Sequence, residues 1–315
     1  MPLSWPAIPY EPWRETCQAL HLYSQIVGKY RLARTPWVNH SWHATLYVNA
    51  RGLTTSLVED GPGGIEIVLD LVEHAVVGHA SDGGTARLPL GPTSVADFHA
   101  RFLGLVRELG GTPKLHGRPN EIPDGVPFAE DREPRPYDAE AAGRFFQALV
   151  SVDRVLNRFR TSFLGKVSPV HLFWGSFDMA VTRFSGREAP PHPGGIPALP
   201  DEVTREAYSH EVSSAGFWPG GGLTDFPAFY SYAYPQPPGF DGAKVEPADA
   251  YFDANLREFV LPYEAVRTAA DPEGTLTAFL ETTYRAAAEL GGWDRSALEC
   301  SPGVPLRPRP PRAGR

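Results

Sequence analysis

Three short segments of this 315-residue chain gather histidine, carboxylate and indole more densely than packing needs: Asn39-His40-Ser41-Trp42-His43, Pro169 to Asp178, and Arg205 to Val212. Imidazole beside carboxylate is the donor set of zinc and iron sites, where three protein ligands and one open position form the catalytic pattern. His40, His43 and His210 are the candidate ligands of such a divalent transition metal. His171, Asp178 and Glu211 are the candidate acid/base groups. His40 and His43 are three apart, which puts them on one side of a helical turn but on opposite faces of a regular strand. No HExxH pattern occurs. The plainer reading is that these histidines hydrogen-bond backbone at a seam between two parts of the fold.

Two of only four lysines, Lys29 and Lys166, follow a glycine near an expected helix end. There a cation complements the helix dipole. Arginine would serve equally, and the chain otherwise prefers arginine, so lysine kept twice suggests a compact ammonium facing an anionic ligand or a buried carboxylate such as Asp178. With Arg183, Trp42, Trp174 and Tyr208 these lysines form the expected ligand-binding set. The run Phe229 to Tyr234 alternates, first as a strand with aromatics on one face, or as the wall of an aromatic pocket. Gly216 to Gly222 lacks the spacing of a phosphate loop, and Ser168, Ser176 and Ser209 lack a nucleophile elbow. Asp70 and Glu73 read as a solvated edge.

The elements that must position these residues recur. An apolar helix pattern through Trp13, Cys17, Leu20 and Ile26 runs into Gly28-Lys29, then a strand-like stretch from Trp42 to Gly52. A second helix pattern through Phe145, Leu149, Val152 and Leu156 runs into Gly165-Lys166, then a strand-like stretch from Trp174 to Gly186. Each half also closes on a capped helix ending in Glu-Leu-Gly-Gly, at 108–111 and 289–292. Ile65 to His74 and Val76 to Arg87 read as a hairpin, answered in the second half by Ala228–Tyr234 with Tyr251–Leu261. The expected fold is α+β: two diverged copies of a helix–antiparallel strands–helix unit about a pseudo-twofold axis. The expected boundaries are 1–116 for the first copy, 117–138 for a connector, 139–298 for the second copy with an insertion at about 187–250, and 299–315 for a disordered tail.

Composition bounds the partners. A net charge of −8 argues against nucleic acid or an anionic membrane. No apolar run is long enough to span a bilayer, and the first residues lack the pattern of a signal peptide. Two cysteines, Cys17 and Cys300, at opposite ends support no zinc ribbon or disulfide framework. A cytoplasmic chain with a small-molecule ligand is the expectation, and abundant arginine, glycine and proline suit a GC-rich genome.

The blocks LHLYSQIVGKYRLARTPWVNHSWHATLYVNARGLTTS, SPVHLFWGSFDMAVTRFSGREAPPHP and REAYSHEVSSAGFWPGGG resemble the hallmark blocks of a bacterial family defined only as a domain of unknown function. The resemblance runs from about Trp5 to about Leu298 and implies a soluble protein with no assigned activity. It departs only at 59–64, in an expected turn. Two function classes fit the residues: an enzyme acting on a small anionic or aromatic metabolite in a cleft between the repeats, or a binding module that holds such a ligand unchanged. Convergence of histidines and carboxylates on one point would favour the first. A filled cleft beside a large exposed apolar patch would favour a third class, an assembly component.

Overall fold

A computed structural model describes residues 5–222 and 224–309. It is α+β, as expected. Helix α1 (Tyr10–Leu32) leads to a five-stranded antiparallel meander of β1 (Tyr47–Val48), β2 (Gly52–Asp60), β3 (Gly63–Asp70), β4 (Ala75–Ala80) and β5 (Thr85–Pro89). A short strand β6 (Thr93–Ser94) then enters α2 (Val95–Glu108) and later pairs with β7 (Pro134–Arg135). The second half opens with α3 (Ala139–Arg160) and continues through β8 (His171–Phe173), β9 (Asp178–Glu188), α4 (Asp201–Ala207), β10 (His210–Trp218) and β11 (Ala228–Tyr234). Strands β12 (Tyr251–Asp253) and β13 (Glu258–Pro262) follow, then α5 (Tyr263–Arg267) and α6 (Pro272–Leu290). The second sheet has the order β12-β13-β11-β10-β9-β8.

Local chemistry sets the helix limits. Ser94 accepts the Asp97 N–H and donates to its carboxylate, closing a reciprocal cap on α2. Asp138 and Asp271 cap α3 and α6, the latter with Pro272 in its first turn. Gly110 and Gly292 supply the left-handed residue (φ 76° and 61°) after α2 and α6.

The six-stranded sheet divides its residues by period two. Met179, Val181, Phe217, Phe229 and Leu261 join the core, on the side where α3 and α6 pack against β9, β10 and β11. The other face carries Asp178, Ala180, Thr182, Ser214, Tyr230 and Tyr232, register neighbours across β9, β10 and β11. The two sheets meet edge to edge where Leu46 and Leu172 exchange backbone hydrogen bonds of 3.0 and 2.8 Å. One continuous core runs through both halves.

Two expectations need correction. Trp42 to Gly52 is a strand only at Tyr47–Val48, paired with β2; Asn39–Ser41 forms a 3-10 turn with His40 and Ser41 at positive φ that continues as a turn through Ala44, and α4's Glu206 carboxylate accepts the His40 N–H. Residues 187–250 supply β10 and β11, the interior of the second sheet. Asp70 is buried, not solvated: it pairs with Arg51 and accepts the Val72 and Glu73 N–H groups. The Cys300 and Gly303 N–H groups donate to Ser162 and Thr161. Residues 310–315 lie outside the described residues.

Candidate active site

Above the polar face of the second sheet lies a cavity of about 1150 Å³. β9 forms its floor from Asp178 to Phe184, roughly 20 Å at about 3.3 Å per residue. Trp42, Phe173, Trp174, Tyr208, Tyr230 and Tyr232 give it aromatic walls. Its roof is the connector at 118–125 and the loop at 196–200.

Asp178 is the buried polar centre of the floor. One carboxylate oxygen accepts from Ser176, the other from Tyr230. Tyr230 reaches Asp178 across β10 at Gly216, where any side chain would collide with its phenol. Burial pushes the Asp178 carboxyl upward against the pull of those two hydroxyls. It also raises the Tyr230 phenol, with Asp178 adding to the effect. Beside them the Tyr208 and Tyr232 hydroxyls share a hydrogen bond of 2.7 Å.

Helix α1 contributes a polar ridge, His21, Gln25 and Lys29, spaced four apart on one face. His21 Nε2 donates to the Gly175 carbonyl at 2.8 Å, and burial lowers this imidazole to about 4. Gln25, fully buried, exchanges two hydrogen bonds with the Asn120 backbone at 2.8 and 2.9 Å. That leaves the Asn120 amide free to accept from Lys29 and to donate to the Ala198 carbonyl, so one residue fastens α1 to both roof segments. Lys29 is 2% exposed and lies 5.1 Å from the Trp174 ring. Burial lowers its ammonium to about 8, opposed by Glu121.

Glu121 is the residue that sequence reasoning passed over. It stands in the left-handed region (φ 60°), a costly conformation for a non-glycine residue, and its side chain packs where Gly175 has no Cβ. Burial raises its carboxyl to about 7; Asp178 raises it further and Lys29 lowers it. The only signal in the sequence was a polar residue within a proline-rich connector. The polar ridge on α1 was legible as i, i+4, i+8 spacing.

Of the expected site residues, Lys29, His40, Trp42, Trp174, Asp178 and Tyr208 line the cavity. The others do not. His171 is 1% exposed, with neither ring nitrogen hydrogen-bonded, packed near Trp42, Tyr47 and Phe173. Burial lowers it to about 3. Glu211 pairs with Arg187, which also binds the carbonyls of Gly291 and Gly292 behind α6. Arg183 points to the opposite face, between Phe159 and Tyr284. Lys166 is not at a helix end; it lies six residues past α3, 2.5 Å from His40 Nε2, and over Trp42 at 5.2 Å.

The expected metal ligands do not converge. His40 uses Nδ1 on the Ala207 carbonyl and Nε2 on Lys166. His43 Nδ1 sits on Val38 and its ring packs on Trp37. His210 meets Ser209 through Nδ1, and its ring is 6.0 Å from that of His40. Among the described residues no group of three His, Cys, Asp or Glu is placed to hold a metal ion. No described helix is long and apolar enough to cross a membrane.

No curated protein and no solved structure matches the chain. Residues 5–300 match the profile of a family of unknown function (DUF5996), and the chain belongs to that family.

Proposed function

We propose that this protein binds a small aromatic metabolite in the cavity between its halves, with Asp178 and Tyr230 as the polar anchor. The observation that carries the reading is a buried carboxyl on the floor of an aromatic-walled cavity of about 1150 Å³. A few polar groups in an apolar, aromatic concavity is the usual form of a small-molecule site. A net charge of −8 also favours such a partner over nucleic acid.

The halves would be two copies of one unit. In support, each runs from a long helix into an antiparallel sheet, and the first strands of the two sheets meet at Leu46 and Leu172. Each Gly-Lys lysine also lies over the other half's tryptophan, Lys29 on Trp174 and Lys166 on Trp42.

A second reading, catalysis by proton transfer, is favoured by one feature. Glu121 near 7 and Lys29 near 8 both stand close to neutrality, where a general acid or base works best.

Filling the floor tests the binding reading. 2-Phenylethanol, a neutral aromatic probe, is expected to raise the melting temperature of the wild-type protein and to give measurable heat on titration. Ala180→Phe, whose new ring enters the cavity, should bind it at least tenfold more weakly. Equal binding by the variant would place the ligand elsewhere and end the proposal.

A further inference from the structure

We infer that the ligand of this cavity carries a positively charged amine, seated between the Asp178 and Glu121 carboxyls with its aromatic part along the floor. This rests on the binding reading above and narrows it to a ligand class.

Asp178 and Glu121 both line the cavity, yet neither lies within ion-pairing distance of a Lys, Arg or His among the described residues. A third carboxyl, Glu258, sits next to the register neighbours Ser231 and Phe259, and its Oε2 is buried without any hydrogen-bond partner. The one ammonium near this end, Lys29, gives its proton to the Asn120 amide rather than to a carboxylate. Two cavity carboxyls therefore face one ammonium that is already engaged. Buried charge of one sign is costly unless a counter-charge joins it.

The walls match the same ligand. Tyr230 stacks on Trp218 with ring centroids 4.3 Å apart and runs nearly parallel to Tyr232, 6.1 Å away at 15°. With Trp174 and Tyr208, the two tyrosines that line the cavity offer electron-rich faces beside the carboxyls, the surroundings in which organic cations are held. An anionic ligand would meet Asp178 and Glu121 as like charges.

At the other end of the floor the Lys166 ammonium already has an opposite charge acting on it, the Glu206 carboxylate. His40 is bonded to Lys166, and Glu206 accepts the His40 backbone N–H. That end calls for no counter-ion, so the amine belongs at the Asp178 end.

Three probes with one ring and one chain length isolate the charge: 2-phenylethylamine, 2-phenylethanol and phenylacetate, each titrated calorimetrically into the full-length protein at pH 8. The amine is expected to bind at least tenfold more tightly than the alcohol, and phenylacetate more weakly than either. Asp178→Asn should bring the amine-to-alcohol ratio close to one. Glu121→Gln, on a roof loop outside the sheet, should lower the same ratio and serves if Asp178→Asn does not fold. An alcohol or carboxylate that binds wild type as tightly as the amine would overturn the amine class and leave the cavity reading standing. A tenfold preference that survives both substitutions would overturn it as well. Failure of all three probes to bind would remove the binding reading and this inference together.

Discussion

Gly28 poses a test in which two effects of opposite sign compete. It lies inside α1, where alanine is favoured over glycine by about 1 kcal/mol. Helix propensity alone therefore expects Gly28→Ala to stabilise the protein. The indole of Trp174, however, packs directly on the Gly28 backbone, and a methyl there would stand under 3.0 Å from three of its ring atoms. Trp174 is buried and cannot swing away as a flexible side chain would. Forcing a methyl into such a contact costs about 1–3 kcal/mol. Moving the ring also breaks the 2.6 Å bond from Trp174 Nε1 to the Ala44 carbonyl, about 1 kcal/mol more, or up to about 3 if that carbonyl is left unpaired. Packing wins, and Gly28→Ala should lose about 1–5 kcal/mol in urea titration after the helix gain is subtracted.

The pair of variants makes the reasoning sharp. With Trp174→Leu already in place the collision is gone, and Gly28→Ala should then stabilise by about 0.5–1 kcal/mol. A sign reversal between the two backgrounds is the expected outcome. Gly28→Ala as stable as wild type, or the same loss in both backgrounds, would show that the indole does not occupy the space read here.

His171→Phe should hold or raise stability, by up to about 1–3 kcal/mol, since it removes two buried ring nitrogens without partners from an aromatic setting; a clear loss in urea titration would mean those nitrogens are in fact satisfied. For Glu121, a folded-state pKa raised from 4.5 to about 7 means the native state binds more protons than the unfolded chain between those values, so its contribution to stability falls as pH rises through that window and is level above it. The stability of Glu121→Gln should therefore gain on wild type between pH 4.5 and 7, and parallel curves across that range would contradict the buried carboxyl.

Much of the frame was legible in local chemistry. Period 3.6 and period 2 patterns, the Ser94 and Asp271 caps and the terminal glycines marked helices and strands, because each depends on residues within one turn of one another. Composition likewise pointed away from a nucleic-acid partner, as it depends on no contact at all. The alternation Tyr230, Ser231, Tyr232 already announced an aromatic face.

What the sequence could not rank was one polar residue against another. His171 and Asp178 stand in one segment, seven residues apart, yet one ends sealed at the junction of two sheets and the other on a cavity floor. The strand expected from Trp42 begins only at Tyr47, after a turn that Glu206, far along the chain, supports by taking the His40 N–H. Lys29 and Lys166 share a Gly-Lys context, but Asn120 captures one and His40 the other. Glu121 gained its carboxyl's burial only because Gly175, from a different half, leaves room for it. Propensity and capping act over a few residues and were therefore readable, whereas burial, charge pairing and pKa come from neighbours that only the folded chain brings together.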